Sequence, residues 1–256
     1  MGRDRTLINL PFVIGGSVIG PSHLRKNLPC QDACAYKVSQ NKVIVAVADG
    51  LGSASKSNEG ATFVVKEIVD SLEKEEKLNK RNLKKYIGLS REKLKRKAIE
   101  CGGKFEDFAS TLIVVVVERR KVIVAHIGDG AVVGQTKNGL EVLSYPEESE
   151  YINEVIPLTY ENWERHLRFS IYNKKFECIA VMTDGCHRAA FKKEKDTLIP
   201  FEGFFNPIFS YSKKIKDPKE GTEEIIKLLS SKKINEYMED DKTLLIIVLE
   251  PDYSIK

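Results

Sequence analysis

The sequence predicts an α+β fold in which two mostly antiparallel sheets pack face to face, with helices on the outside. Most of the apolar runs come in pairs separated by short polar turns, which is typical of hairpins rather than of alternating strand and helix units. The run TLIVVVV at 111–117 shows no polar alternation, so both faces of that strand should be covered. Apolar residues recur at helical spacing in 57–77 and 79–99, which gives two helices to cover a sheet.

The elements follow from the same patterns, taken along the chain. We expect turns at 40–41, 118–121, 138–139 and 173–175, each closing a hairpin, and Asn138-Gly139 is the strongest of these turn signals. Residues 21–31 read as a polar loop, and 146–164 shows no clear periodicity. The predicted strands are one or two within 7–20, then 33–38, 43–48, 111–117, 122–127, 131–137, 140–144, 167–172, 176–182 and 243–249. The predicted helices are 57–77, 79–99, 184–191, 204–214 and 222–231.

The bulk composition is that of a folded, non-membrane protein. The chain has 256 residues and 42% hydrophobic residues, which we interpret as one domain over 1–256 with a sizeable core. A net charge of +4 is too small to indicate nucleic-acid binding, and no aromatic residues interleave the basic runs. No apolar run reaches the roughly 18 residues that a membrane helix needs. The five cysteines have no zinc-like spacing, and reduced thiols in a cytoplasmic protein are the simplest reading.

One segment, VIVAVADGLGSASKSNEG at 43–60, carries the strongest chemical signal. Asp49 ends a buried strand, where a carboxylate is costly unless a positive charge meets it. A single Asp-Gly pair after a strand could be no more than a turn. The pattern recurs at Asp129-Gly130 and Asp184-Gly185, and an acidic run at 239–241 precedes the last strand. Acidic groups at several strand ends can converge on one site, and carboxylates suit hard cations such as Mg²⁺ or Mn²⁺.

Five motifs in this order resemble the metal-dependent protein phosphatases of the protein phosphatase 2C family. They are AVADGLGS, FASTLIVVVV, AHIGDGAVVG, AVMTDGCHRA and DDKTLLIIVL, and SHLRKNLPCQDACAY resembles the opening segment of some bacterial members. The resemblance covers about 15–249. It implies a four-layer αββα sandwich with two metal ions at one end of the sheets. It also implies hydrolysis of phosphoserine or phosphothreonine by direct attack of a hydroxide that bridges the metals, without a phosphoenzyme.

The resemblance also assigns roles to particular residues. Asp49 matches the aspartate that bridges two metals, and Gly50 matches the residue whose carbonyl is a ligand. Asp184 and Asp241 match further ligands, and Asp129 matches a residue near a third metal or behind the first two. Asp49, Asp184 and Asp32 are the expected catalytic residues.

Four positions depart from the family pattern. Gln31 stands where an acidic residue is common, and Leu51 where some members carry a histidine proposed as general acid. Asn27 takes the place of a phosphate-binding arginine, and Arg188 that of an aspartate near a third metal. These departures leave His23, Arg25 or Arg188 as expected contacts of the substrate phosphate.

Other features admit both a structural and a functional reading. His126 lies in an apolar run, where a core histidine is more frequent than a ligand, and His187 reads as a surface or supporting residue rather than a catalytic one. Trp163 either caps the core or belongs to a variable lid over 150–166. The basic segment 74–97 is a solvated helix face or a docking face for an acidic partner.

These observations lead to three functional hypotheses. The first is a Mg²⁺- or Mn²⁺-dependent serine/threonine protein phosphatase that acts on phosphorylated proteins in signalling. The second is an inactive or weak phosphatase-fold module that binds a phosphoprotein or a signalling partner, which the four departures favour. The third is a metal-dependent hydrolase of small phosphoesters, which an open site without a peptide groove would favour.

Overall fold

The computed structural model describes residues 11–119, 121–146, 155–195 and 197–249. Within these residues, two five-stranded antiparallel sheets pack face to face and helices cover their outer faces. The predicted four-layer order of helices, sheet, sheet and helices is therefore confirmed. The strands are β1 (Phe12–Val18), β2 (Ala33–Val38), β3 (Lys42–Ala48), β4 (Leu112–Glu118), β5 (Lys121–Ile127), β6 (Ala131–Thr136), β7 (Gly139–Ser144), β8 (Arg168–Asn173), β9 (Cys178–Met182), β10 (Phe191–Glu194), β11 (Thr197–Pro200) and β12 (Lys242–Val248).

The first sheet has the order β1-β12-β9-β6-β7, and the second has the order β2-β3-β4-β5-β8. The predicted hairpins β2/β3, β4/β5 and β6/β7 all form. The hairpin predicted from 167–182 is wrong, because β8 is an edge strand beside β5 whereas β9 lies inside the other sheet. Every residue of β9 is buried, but none of β8 is, so the two strands suit a central and an edge position respectively.

Eight α-helices complete the described part of the chain. In α2 and α3 the apolar faces pack on the second sheet, and in α6 and α7 they pack on the first. None of the described helices combines the length and the apolar character needed to cross a membrane. The helices are α1 (Pro21–Arg25), α2 (Ser57–Glu73), α3 (Lys80–Glu100), α4 (Trp163–His166), α5 (His187–Ala190), α6 (Glu202–Ser212), α7 (Pro218–Leu229) and α8 (Lys232–Asn235), with short 3₁₀ helices at Phe105–Phe108 and Asp184–Cys186.

The continuous apolar sequence of β4 contributes side chains to the core on both faces of the second sheet. Val114 and Val116 face α2 and α3, whereas Ile113 and Val115 face the first sheet, and all four are at most 1% exposed. The prediction that this strand is covered on both faces is confirmed. Burial of an apolar side chain of this size contributes roughly 1.5–3 kcal/mol, so the inter-sheet layer is a main source of stability.

Two segments differ from the predicted elements. The polar loop expected at 21–31 opens with the short helix α1, which begins with Pro21 at a position that suits proline. The helix expected at 184–191 ends at Ala190, and Phe191 starts the β10/β11 hairpin. The charged sequence of β10 gives no alternation that would have indicated a strand.

Candidate metal centre

A cleft of about 390 Å³ lies where strands of both sheets end. Four carboxylates face it, and no Lys or Arg is found among the described residues that line it. The cleft is therefore strongly acidic. Its described lining residues are His23, Gln31, Asp49, Gly50, Leu51, Gly52, Ser53, Asp129, Val155, Asp184 and Asp240.

The carboxylates reach the cleft from strand ends of both sheets. Asp49 follows β3 of the second sheet, and Asp184 follows β9 of the first sheet. Asp129 lies in the turn after β5, and one carboxylate oxygen from each of these three residues lies within 4.8 Å of the others. The predicted convergence of the recurring Asp-Gly turns on one site is thus seen in the structure.

The backbone around Asp49 is held closely in place. Its N–H donates to Thr111 Oγ1 at 2.9 Å, and its carbonyl accepts the Thr111 N–H at 2.8 Å. The next residue, Gly50, donates its N–H to the Gln31 carbonyl at 3.1 Å. A Cβ on Gly50 would lie 2.8 Å from Ser57 and 2.9 Å from that carbonyl, so only glycine allows this approach.

Asp32 connects the strand ends of the first sheet to the cleft. It is 7% exposed, and its Oδ2 accepts hydrogen bonds from the hydroxyls of Thr183 and Thr243, each at 2.7 Å. Burial raises its pKa to about 7, although the two hydroxyls oppose that rise. Asp32 is not among the described residues that line the cleft, and its two hydrogen bonds join the ends of β9 and β12; its catalytic role stays a prediction.

The electrostatics of the cleft show an excess of negative charge. Burial, followed by the neighbouring carboxylates of Asp32, Asp184 and Asp129, raises the pKa of Asp49 well above its usual value. Burial and the charges of Asp129 and Asp240 raise the pKa of Asp184 to about 7. Carboxylates that resist ionisation together are stabilised by cations, and their hard oxygen donors fit Mg²⁺ or Mn²⁺.

The two adjacent aspartates before β12 differ in burial, although one carboxylate oxygen of each lies within 4.8 Å of the other and of a ring nitrogen of His23. Asp241, the expected ligand, is 2% exposed and is absent from the cleft lining. Its carboxylate accepts the N–H groups of Gly20 and Gln31, both at 2.6 Å, and contacts His23 Nδ1 at 2.8 Å. Asp240 lines the cleft instead.

The buried Lys242 fixes the turn that holds these aspartates. Its Nζ donates to the carbonyl oxygen of Asp240 at 3.0 Å, and burial lowers its pKa. The sequence analysis named Asp240 only within the acidic run 239–241, and the signal that distinguishes it is burial: Asp241 and Lys242 are buried at the start of the packed strand, so the last exposed acid is Asp240.

The three residues expected to contact the substrate phosphate lie in different places. His23 lines the cleft, with its side chain 12% exposed. Arg25 forms an ion pair with Glu239 on the surface, and Arg188 donates to the Tyr237 carbonyl at 3.5 Å. Neither arginine is among the described residues of the cleft lining.

The structure also shows where the other three residues that depart from the family pattern lie. Gln31 and Leu51 line the cleft. Asn27 is exposed and has φ 53°, a left-handed conformation that asparagine adopts more readily than arginine does. The backbone at this position therefore suits the residue that replaces the arginine.

The other two histidines of interest lie behind the cleft. His126 is completely buried, its Nδ1 lies 2.7 Å from Ser144 Oγ, and burial holds its pKa well below the usual value. The expectation of a core histidine is confirmed. His187 packs edge-to-face on Phe191 at 5.5 Å between ring centres, and burial lowers its pKa to about 4. It is not part of the described cleft lining, and its supporting role stays a prediction.

The expected lid is described only from Val155 onward, because 147–154 lies outside the described residues. Val155 lines the cleft, and Trp163 is 6% exposed in the core beside α3. A Cβ on Gly88 of α3 would lie 3.6 Å from its ring. The reading of Trp163 as a core residue is confirmed, and the influence of this segment on substrate choice stays a prediction.

Comparison with known proteins gives four matches, two of sequence and two of structure. A sequence model of the family described as Protein phosphatase 2C matches residues 19–230. Serine/threonine-protein phosphatase 3 of Escherichia coli (strain K12) is 29% identical over 246 residues, which covers 91% of this chain and 96% of that protein. The serine/threonine phosphatase Stp1 from Staphylococcus aureus has a TM-score of 0.65 at 15% identity and covers 98% of this chain and 99% of its own.

The S. agalactiae serine/threonine phosphatase has a TM-score of 0.67 at 15% identity, and the match covers 94% of this chain and 100% of that one. At such low identity the two structural matches establish the fold. They agree with the two packed antiparallel sheets described above.

Proposed function

The chain belongs to the protein phosphatase 2C family, and from this premise we propose that it is a Mg²⁺- or Mn²⁺-dependent serine/threonine protein phosphatase. One observation carries the proposal. The carboxylates of Asp49, Asp129 and Asp184 meet within 4.8 Å in a cleft whose described lining has no Lys or Arg. The relatives are named as serine/threonine phosphatases, which supports phosphorylated protein as the substrate class.

Two divalent ions are proposed for the cleft. Asp49, the Gly50 carbonyl and Asp184 would hold them, and Asp240 would take the ligand role that the sequence assigned to Asp241. Asp129 would hold a further ion or a water on the first two. When bound, the ions supply an activated water and offset the charge of the phosphoryl group.

The chain's own residues orient the substrate and the carboxylates. Since Asp241 holds Nδ1 of His23, Nε2 is the ring atom that remains for a phosphoryl oxygen. Asp32 accepts hydrogen bonds from Thr183, the residue before Asp184, and from Thr243, so it fixes the strand end from which Asp184 projects. Gln31 presents an amide where a carboxylate would add negative charge, and it can bind a water in the cleft.

A second candidate is a phosphatase-fold binding module with little or no turnover. Leu51 gives the cleft wall no proton donor, and Arg25 and Arg188 lie elsewhere. His23 would then contact phosphate without hydrolysis. The retained carboxylate cluster favours the phosphatase over this module.

The test is phosphate release from a phosphothreonine peptide and from p-nitrophenyl phosphate, with Mn²⁺, Mg²⁺ or EDTA. Asp49→Asn is compared with Glu223→Gln, which removes one negative charge from an exposed residue of α7. We expect turnover that needs the metal, persists in Glu223→Gln and falls by at least about 10³-fold in Asp49→Asn. No turnover by folded, metal-binding wild type would support the binding module instead.

A further inference from the structure

Helix α3 concentrates the positive charge of the protein. Its 21 residues contain nine Lys or Arg and two Glu, a net charge of +7. Because the whole chain carries +4, the other residues together carry −3. The charge is thus segregated onto one surface helix rather than spread over the protein.

Many of the exposed residues of α3 are basic or apolar and lie along its outer side, where Glu92 interrupts their row. We define the α3 basic stripe as Arg81, Lys85, Leu89, Lys95, Arg96 and Ile99. It mixes four cations with two apolar side chains, Leu89 at 45% exposed and Ile99 at 68%. At 1.5 Å per residue the stripe is about 27 Å long, the span of about eight residues of extended peptide.

Two cations of α3 outside the stripe are already paired with carboxylates. Lys84 pairs with Glu164 at 2.6 Å, and Lys93 pairs with Glu67 on α2. Among the residues that the structure describes, Arg81, Lys85, Lys95 and Arg96 form no ion pair. Glu92 also faces outward, and its carboxylate accepts a hydrogen bond from Arg91 at 3.1 Å. The charge of the stripe therefore remains available to a partner.

The inner edge of α3 is hydrogen-bonded to residues 158–160, a short distance along the chain from the cleft wall. Arg91 Nε donates to the Leu158 carbonyl at 3.0 Å, and Nη2 donates to the carbonyls of Thr159 and Tyr160, both at 3.2 Å. This segment continues from Val155, which lines the cleft. The stripe and the cleft are thus connected through a few residues of one hydrogen-bonded segment.

We propose that the α3 basic stripe docks an acidic segment of the phosphoprotein substrate, outside its phosphorylated residue. The proposal rests on the proposed phosphatase function. Negative side chains of the segment would meet the four cations, and an apolar side chain would cover Leu89 or Ile99. Complementary charge of this kind raises the association rate and fades as salt screens it.

The experiment compares wild type with Arg81→Glu/Lys85→Glu/Arg96→Glu and with a matched control, Lys214→Glu/Lys216→Glu/Lys219→Glu. The control reverses three exposed charges near α7. Substrates are a phosphothreonine peptide with an acidic extension containing one Leu, the same peptide with a neutral extension, and p-nitrophenyl phosphate. The unphosphorylated acidic peptide, labelled with a fluorophore, is titrated in parallel so that binding is seen without catalysis.

We expect wild type to prefer the acidic-extended peptide by about tenfold in kcat/KM at low salt, a preference that 300 mM salt largely removes. The stripe variant should lose this preference and the binding of the labelled peptide, with unchanged activity on p-nitrophenyl phosphate. The control should keep both. Equal binding by the stripe variant, or equal loss in the control, would overturn the proposal. Phosphatidylserine vesicles are titrated in the same way, and a stripe variant that keeps its binding of the labelled peptide but loses its binding to these vesicles would also overturn the proposal.

The two proposals fail in different ways. An inactive wild type that still binds the acidic peptide through the stripe would contradict the phosphatase function but support the docking surface. An active wild type without any preference for the acidic extension would support the phosphatase function and contradict the docking surface.

Discussion

His23 Nδ1 lies 2.8 Å from Asp241 Oδ2, and this one carboxylate also accepts the backbone N–H groups of Gly20 and Gln31. The buried Asp241 therefore ties the segment between β1 and β2 to the start of β12. This arrangement orients the imidazole at the cleft and explains why Asp240, rather than Asp241, faces the acidic cluster.

Asp241→Asn should destabilise the metal-free protein by about 2–4 kcal/mol, because an amide cannot accept all the donors that meet this buried carboxylate. Urea denaturation in EDTA measures the change. Asp240→Asn is the matched control, and its exposed side chain should alter the free energy of unfolding by less than about 1 kcal/mol. Equal losses in the two variants would contradict the role given to Asp241.

His23→Asn should lower kcat/KM on a phosphothreonine peptide by about 10²-fold, because Nε2 is lost from the cleft. An asparagine amide can still donate to Asp241 in place of Nδ1, so the denaturation midpoint should stay close to that of wild type. Mn²⁺ affinity, measured by calorimetry, should also be unchanged. Full activity in this variant would show that His23 makes no contact with the substrate.

The stability of the metal-free protein should fall as pH rises from 6.5 to 8.5. An aspartate whose folded-state pKa is raised from 3.8 to about 7, as for Asp32 and Asp184, contributes stability at low pH that is lost as pH rises through the folded value. Protonation of His126 and His187 in the unfolded chain, at the ordinary histidine pKa of 6.5, opposes this fall in the lower part of the range and is negligible above about pH 7.5.

Thermal unfolding in EDTA and in Mn²⁺ measures this dependence. The rise in Tm that Mn²⁺ produces should be larger at pH 8.5 than at pH 6.5, since the ion replaces protons on the carboxylates. Asp32→Asn should flatten the pH dependence in EDTA. A metal-free protein that gains stability over this pH range would contradict the crowding of charge in the cleft.

Two helical glycines should respond in opposite directions to alanine. A Cβ on Gly88 would meet Trp163 at 3.6 Å, an ordinary contact, so Gly88→Ala should stabilise the protein by about 0.5–1 kcal/mol. A Cβ on Gly60 would lie 2.1 Å from the Phe108 carbonyl oxygen, so Gly60→Ala should destabilise it by more than about 2 kcal/mol. Urea denaturation of both variants checks the signs, and a loss in Gly88→Ala would contradict the packing of Trp163.

Sequence patterns predicted the layers of this fold because a strand that is buried on both faces has a continuous apolar sequence, as β4 does. They did not predict that β8 and β9 lie in different sheets. The turn at 173–175 looks like a hairpin turn locally. The two strands belong to different sheets because β9 takes a central position in one sheet and β8 an edge position in the other.

The same contrast holds within the candidate site. Asp49, Asp129 and Asp184 were found because each follows an apolar run, a signal that is local. The choice between Asp240 and Asp241 depends on donors from Gly20, Gln31 and His23, more than 200 residues away along the chain, which spacing does not reveal.

The most direct test of the account is a calorimetric titration of the metal-free protein with Mn²⁺ at pH 7.5. We expect two ions per chain, a loss of at least one in Asp49→Asn and in Asp184→Asn, and an affinity at least about tenfold weaker in Asp240→Asn than in the wild type. Mn²⁺ bound with wild-type stoichiometry and affinity by Asp49→Asn and Asp184→Asn would contradict the assignment of this cleft as the metal centre.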